Sequence, residues 1–200
     1  MDLCLVEGPK SEIISLKEAK NYLHIDHNFD DDLILMLIKS TREAIEAIIQ
    51  KTLPRQTWKY TIHSDNVRIV AAPNDNYPCM VRGNSLQIPL PKPPIIKILK
   101  VSVNETDVEK QCYVLDKTKS KFYLLLTLDK SLQRSKSKII SILYEAGIVL
   151  NADNIPYPVK LANLMMMASA YQERYSCLDG DIVSSGVRKL LAPFLNLRVF

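Results

Sequence analysis

The sequence predicts an α+β protein in which helices from its first and last thirds form a bundle and the middle third is rich in β-strands. Apolar residues recur every three or four positions in 13–53 and 155–192, which is the helical period, and every second position in much of 55–150. With 200 residues, 47% of them hydrophobic and 24% charged, the chain can bury a core, which excludes a disordered or fibrous protein. We expect one domain over 1–200, with 193–200 as an extended tail.

The first third predicts two helices. Ser15 and Glu18 have the spacing of a capping box, so a short helix should run from Ser15 to about Leu23. Asp30 is the expected N-cap of a second, longer helix ending near Lys51, with two further aspartates in its first turn, where they complement the helix dipole. The apolar stripe of this long helix is Leu33, Leu37, Ile38, Thr41, Ile45, Ile48 and Ile49.

The middle third changes to the period of a strand. Alternation over Thr57–His63 predicts a half-buried strand. Further strands are expected at Val67–Ala71, Leu86–Leu90, Ile95–Val103, Tyr113–Asp116, Phe122–Leu128 and Lys138–Tyr144. Four prolines within 89–94 lack the N–H that helices and central strands require, so this segment is predicted to be a stiff, extended connector.

The last third is helical again. Pro158 suits a first helical turn, and the helix should continue to about Cys177. Its expected inward residues are Leu161, Leu164, Met165, Ala168 and Tyr171, and its outward ones are Lys160, Gln172, Glu173 and Arg174. Met165–Met167 suit a core and also an adaptable subunit interface. Ser184 or Ser185 should cap a short helix that Pro193 ends.

Charge and cysteine content narrow the class of protein. There are 26 Lys and Arg against 22 Asp and Glu, a net charge of +4, without the basic clustering of a dedicated nucleic-acid binder. Four scattered cysteines without a CxxC motif indicate reduced, intracellular thiols. Since the apolar runs are shorter than a membrane span, we expect a soluble cytoplasmic product with no membrane partner.

Candidate chemical sites are few. No Walker or GxGxxG loop is present. His24, Asp26 and His27, followed by Asp30–Asp32, have ligand types for a divalent metal, but they span a helix boundary where carboxylates already serve as caps. His63 has no carboxylate or cysteine nearby in sequence. We therefore predict no catalytic, cofactor-binding or metal-binding residues and no cofactor.

Two basic segments, Lys117–Lys121 and Arg134–Lys138, fit solvated loops and also phosphate contacts. They leave open a nucleic-acid-binding module as an alternative function. A small metal-dependent enzyme centred on His24, His27 and Asp30 is the other alternative.

The order of several short motifs resembles a known family. They are Ile14–Asp26 (ISLKEAKNYLHID), Leu53–Trp58 (LPRQTW), the proline-rich Ile88–Pro94, Tyr144–Gly147 (YEAG), Tyr171–Arg174 (YQER) and Leu190–Phe194 (LLAPF). In this order, from about Ile14 to Arg198, the chain resembles the phage head–tail connector (adaptor) family of tailed phages, prophages and gene transfer agents. It departs from the family at Leu195, where an arginine would follow the Pro-aromatic pair.

The resemblance implies a structural role without catalysis. It implies a homo-oligomeric ring, typically of twelve subunits, beneath the portal protein in the virion neck, assembled in the bacterial host cytoplasm. Such a ring would receive the next neck (stopper) protein and line the channel through which DNA passes. The expected subunit-interface residues are Arg42, Glu46, Met166, Glu173 and Arg174. The expected portal-docking residues are Phe194, Leu197, Arg198, Val199 and Phe200.

Overall fold

The chain folds into two compact units, each assembled from separate stretches of sequence. The sheet unit comprises Met1–Gly8 and Arg55–Gly147, and the helical unit comprises Pro9–Pro54 and Ile148–Phe200. A computed structural model describes residues 2–63, 80–82, 85–118, 121–127, 139–148, 155–173 and 183–195. The mixed α+β class predicted from the sequence is confirmed, with antiparallel sheets.

Helices from both ends of the sequence share the core of the helical unit. They are α1 (Leu16–Leu23), α2 (Asp31–Ile49), α3 (Tyr157–Gln172) and α4 (Ser185–Leu191), with a 3-10 turn at Ala192–Phe194. The capping box is present, because Ser15 Oγ accepts from the Glu18 N–H (3.2 Å) and the Glu18 carboxylate accepts from the Ser15 N–H (2.7 Å). Ser184 caps α4 by accepting from the Val187 N–H.

The expected capping bond of Asp30 is not made. Asp30 has φ −102° and ψ 9°, outside the extended conformation that aims an N-cap side chain at the helix. Its Oδ2 instead accepts from the Tyr171 hydroxyl at 2.5 Å. The start of α2 is therefore tied to α3 by the hydrogen bond between Asp30 and Tyr171.

The buried face of α2 is centred on Ile34, Ile38, Thr41, Ile45 and Ile49, with Leu33, Leu37 and Ile48 at its margins.

The predicted inward face of α3 is correct only in part, because Leu164, Met165 and Tyr171 pack against the margin of the core and are not at its centre. The helix buries Val159, Ala162, Asn163, Met166 and Met167, whereas Leu161 is 42% exposed. Apolar residues surround α3, so periodicity did not distinguish its two faces. Contact with α2 decided between them, since the Thr41 hydroxyl bonds Asn163 Oδ1 (3.1 Å) inside the core. The predicted end of the helix at Cys177 lies outside the described residues.

Two antiparallel sheets form the sheet unit. Their strands are β1 (Asp2–Glu7), β2 (Gln56–His63), β3 (Met80–Arg82), β4 (Ser85–Pro89), β5 (Ile95–Val103), β6 (Thr106–Asp107), β7 (Tyr113–Thr118), β8 (Lys121–Thr127) and β9 (Ile139–Ala146). One sheet has the order β1-β2-β9-β5-β6 and the other β3-β4-β8-β7. Six of the predicted strands are confirmed at β2, β4, β5, β7, β8 and β9; Val67–Ala71 lies outside the described residues.

Two local predictions differ from the structure. Strand β1 was not predicted, because it is mostly exposed and forms by pairing with β2, for example Leu3 with Tyr60. The proline-rich connector bends instead of staying extended, with Lys92 in the left-handed region at φ 60°. The Tyr144 hydroxyl donates to the Pro91 carbonyl at 2.8 Å and holds this bend. Burial raises the pKa of Tyr144, so the hydroxyl keeps its proton for this bond.

Strand β9 carries a carboxylate held by cations at its two neighbouring strands. Glu145 is nearly buried, and its Oε2 lies 2.5 Å from Arg55 Nη2, just before β2. Its Oε1 lies 3.5 Å from Lys97 Nζ on β5. The hydrogen bond from Arg55, followed by the charges of Arg55 and Lys97, lowers the pKa of Glu145. This group therefore links the three central strands of the larger sheet.

Replacing Glu145 with glutamine should make stability depend less on pH. Because folding lowers the pKa of Glu145, its carboxylate stabilises the fold above the unfolded value near 4.5 and loses that effect as pH falls through the folded pKa. Urea unfolding of Glu145→Gln should show a loss of about 1 kcal/mol at pH 7 that shrinks toward pH 3. Glu105→Gln, an exposed control, should change little. A loss independent of pH would contradict this account.

Candidate assembly site

A buried arginine organises the helical unit. Arg42 on α2 is only 4% exposed, and its guanidinium contacts three carboxylates. Nε lies 2.8 Å from Glu12 Oε2, Nη1 lies 3.0 Å from Glu46 Oε2, and Nη2 lies 3.1 Å from Glu43 Oε1. Glu46 is equally buried, one turn along the helix. The planar fork of N–H donors is the group suited to hold several carboxylates in one geometry.

This Arg42 network extends to the end of α2. Glu46 Oε1 accepts the Leu53 N–H at 2.8 Å and thereby fixes the chain after the left-handed residue Gln50. The adjacent Lys51 ammonium donates to the Phe194 carbonyl at 2.9 Å. The same end of α2 that the buried carboxylate orders therefore anchors the 3-10 turn Ala192–Phe194, so the first two residues of the tail predicted to be extended over 193–200 are helical instead.

The expected interface residues fall in different environments. Arg42 and Glu46 lie together, buried, and Met166 is 1% exposed in the core of the same unit. Glu173, directly after α3, is exposed. Arg174 lies outside the described residues. The structure thus brings Arg42 and Glu46 into one network and places Met166 in the packing between helices.

Of the expected docking residues, only Phe194 lies in the described part of the chain. Phe194 packs against the helical core, and its carbonyl accepts from Lys51. Leu197, Arg198, Val199 and Phe200 lie outside the described residues. The point from which this segment leaves the helical unit is therefore fixed by a specific bond.

Several features of this unit were missed from the sequence. The spacing of four residues between Arg42 and Glu46 indicates an ion pair on one helix face. No sequence pattern indicates the contact with Glu12, which lies 30 residues before Arg42. A groove of about 740 Å³ also opens between α1, α3 and the residue before α4. Its lining includes Tyr22, Leu23, His24, Met165, Ala168, Tyr171, Gln172 and Ser184.

The histidine cluster has structural contacts. His24 is the left-handed C-cap of α1 (φ 56°), and the His27 ring lies 5.7 Å from the Phe29 ring. Among the residues that the structure describes, no group of three or more His, Cys, Asp or Glu side chains is arranged to hold a metal ion. The basic segment Arg134–Lys138, like Lys119 and Ser120 of the other, falls outside these residues. No helix in the described ranges is long and apolar enough to cross a membrane.

Removing the Arg42 side chain should strongly destabilise the helical unit. Arg42→Ala leaves the buried carboxylate of Glu46 without its cation, for which we expect a loss of about 3–5 kcal/mol in the free energy of unfolding by urea. Glu43→Ala is the control, because Glu43 is 67% exposed and its removal should cost less than about 1 kcal/mol. Similar losses for both variants would contradict a central role for the buried pair.

Comparison with known proteins agrees with the sequence motifs. Residues 13–107 match the family described as phage gp6-like head-tail connector protein. The whole chain has the fold of a chain in the neck of an empty gene transfer agent particle computed with C6 symmetry (TM-score 0.72, 17% identity, 100% of this chain and 98% of that chain). No curated protein matches the sequence.

A second solved structure shows the same likeness. It is the neck of the native gene transfer agent particle computed with C12 symmetry (TM-score 0.70, 16% identity, 100% of this chain and 98% of that chain). At these identities the likeness establishes the fold, and the family match over 13–107 supplies the relationship in sequence. The match over residues 13–107 to the phage gp6-like head-tail connector family, together with the fold likeness over the whole chain, supports a structural connector role in the neck of a phage-like particle.

Proposed function

We propose that this protein is the adaptor subunit of a homo-oligomeric ring, of about twelve copies, beneath the portal protein of a tailed phage or prophage. The observation that carries the proposal is the fold likeness over the full chain to a neck protein from a particle computed with C12 symmetry. The ring would receive the next neck (stopper) protein on its other side. It acts in the virion neck and assembles in the host cytoplasm.

The role we propose needs no catalysis and no cofactor. The ring extends the channel through which DNA passes transiently, without sequence recognition. A net charge of +4 suits a wall along which DNA slides, because a strongly basic surface would hold the phosphates.

In this proposal the helical unit is a bundle, and together with the sheet unit it makes one adaptor domain over 1–200. Arg42, Glu46 and Met166 contribute to the subunit interface by keeping α2 and α3 in fixed register. Glu173 and Arg174 are proposed to contribute to the same interface. A rigid pair of helices lowers the entropy that ring closure would otherwise cost.

The residues proposed to dock onto the portal are Phe194, Leu197, Arg198, Val199 and Phe200. Support comes from the bond between Lys51 and the Phe194 carbonyl, which fixes where this segment leaves the helical unit. Apolar residues on either side of one arginine suit a partner that buries them.

The ring itself is tested by size-exclusion chromatography with light scattering, on the protein alone and mixed with the portal protein of the same genome. We expect a large ring, or co-elution at about twelve copies per portal ring, in line with the C12 symmetry of the related neck. A monomer that does not associate with the portal protein would contradict the proposal.

Truncation after Pro193 tests the docking segment. The truncation removes the Phe194 carbonyl that accepts from Lys51 and the Phe194 side chain that packs against the core, so we expect a cost of about 2–3 kcal/mol and a folded protein, as measured by urea unfolding. Co-elution with the portal should be abolished. Lys51→Met is the matched control, because it removes the same hydrogen bond and leaves the docking residues in place. Portal binding by the truncated protein would overturn the docking assignment.

A further inference from the structure

Helix α3 has an unusual composition for a helix at a protein surface. Of its 16 residues only Lys160 is charged, and its ammonium lies 3.9 Å from the Glu18 carboxylate of α1. A helix with one solvated face normally carries several charges there, whereas a helix that is apolar all round is covered on all sides. The composition of α3 therefore indicates a face that the other described residues of this chain leave open.

That open face lies opposite the buried one. Tyr157, Leu161, Met165, Ala168 and Gln172 follow one another at steps of three or four residues, so they form one stripe. The stripe is uncharged over about 23 Å, the length of the helix. Tyr157 is 85% exposed and Leu161 is 42% exposed. We call this stripe the outer face of α3.

The outer face of α3 continues into the groove described above. Met165, Ala168 and Gln172 line the groove from α3, and Tyr22, which is 40% exposed, lines it from α1. A raised aromatic end and a concave apolar end thus lie along one uncharged surface. Tyrosine and methionine are enriched, and charges depleted, at the centres of protein–protein interfaces.

Helix α2 offers a complementary surface on the far side of the same unit. Thr41 of α2 bonds Asn163 of α3, so the buried faces of the two helices are turned toward each other. The opposite side of α2 carries Met36, which is 59% exposed, and the small exposed residues Ser40 and Ala47. We call these three residues the outer face of α2. Small side chains allow a helix with larger ones to approach closely.

Resting on the ring proposed above, we infer that the outer face of α3 in one copy packs against the outer face of α2 in the next copy. A closed ring needs a head-to-tail contact between two different surfaces, and these two lie on opposite sides of the helical unit. Glu43 lies between Ser40 and Ala47 on the outer face of α2, and its carboxylate already accepts from Arg42. A second copy of this chain is therefore the partner that covers α3.

Cysteine cross-linking tests the pairing directly. Leu161→Cys and Met36→Cys are made separately in the full chain and oxidised alone and mixed, each in the presence of portal protein, and linked peptides are identified by mass spectrometry. We expect the 36–161 disulfide only in the mixture. Links between two copies of residue 161 would indicate symmetric α3–α3 packing and overturn the inference, as would the absence of a 36–161 link.

Charged variants distinguish a failure of this interface proposal from a failure of the ring proposal. Leu161→Glu and Tyr157→Lys should reduce co-elution with the portal at least tenfold, while Val114→Glu, at a 62% exposed position on β7, should not. Thermal unfolding by circular dichroism checks that each variant folds. If wild type and both α3 variants join the portal equally, the interface is wrong and the ring stands. If wild type fails to join, both proposals fail.

Discussion

The Arg42 network is the constraint on which the helical unit depends. A guanidinium that is almost fully buried must have its charge and its N–H groups satisfied, because an unpaired buried charge costs several kcal/mol. Glu12, Glu43 and Glu46 accept from the guanidinium, and the Leu53 N–H donates to Glu46. These bonds form together only when the segment before α1, the last turn of α2 and the chain after α2 take one arrangement. Such a pair adds little net stability over an apolar core, so its main effect is to specify geometry.

The arrangement of α2 that the Arg42 network specifies also positions the surfaces proposed for assembly. With the end of α2 fixed by Glu46, Lys51 is placed to bind the Phe194 carbonyl, and the 3-10 turn after α4 is held against the same helix. The outer faces of α2 and α3 then lie on opposite sides of a rigid pair of helices, joined inside by Thr41 and Asn163. A subunit that must close a ring needs this rigidity, since small errors in the angle between its two contact surfaces add up around the circle.

Strand β9 organises the sheet unit as the Arg42 network organises the helical unit. It lies between β2 and β5, and Glu145 joins cations next to both. Tyr144, the neighbouring residue on the opposite face, is fully buried and its hydroxyl holds the proline-rich bend at Pro91. Adjacent residues of one strand thus stabilise opposite faces of the sheet, because side chains alternate between the two faces along a strand.

Local features of the fold follow from short stretches of the sequence. The capping box at Ser15, the strand of Ile95–Val103 and the family resemblance over 13–107 depend on neighbouring residues and are confirmed. Of the two serines predicted as possible caps of α4, Ser184 is the one that caps it. The tertiary structure decided which face of α3 is buried and where Asp30 bonds, because an all-round apolar helix has no period to orient it and Tyr171 lies 141 residues away. Only part of the Arg42 network could be predicted from the sequence. Arg42 and Glu46 lie four residues apart on one helix, whereas Glu12 contacts Arg42 only in the folded chain.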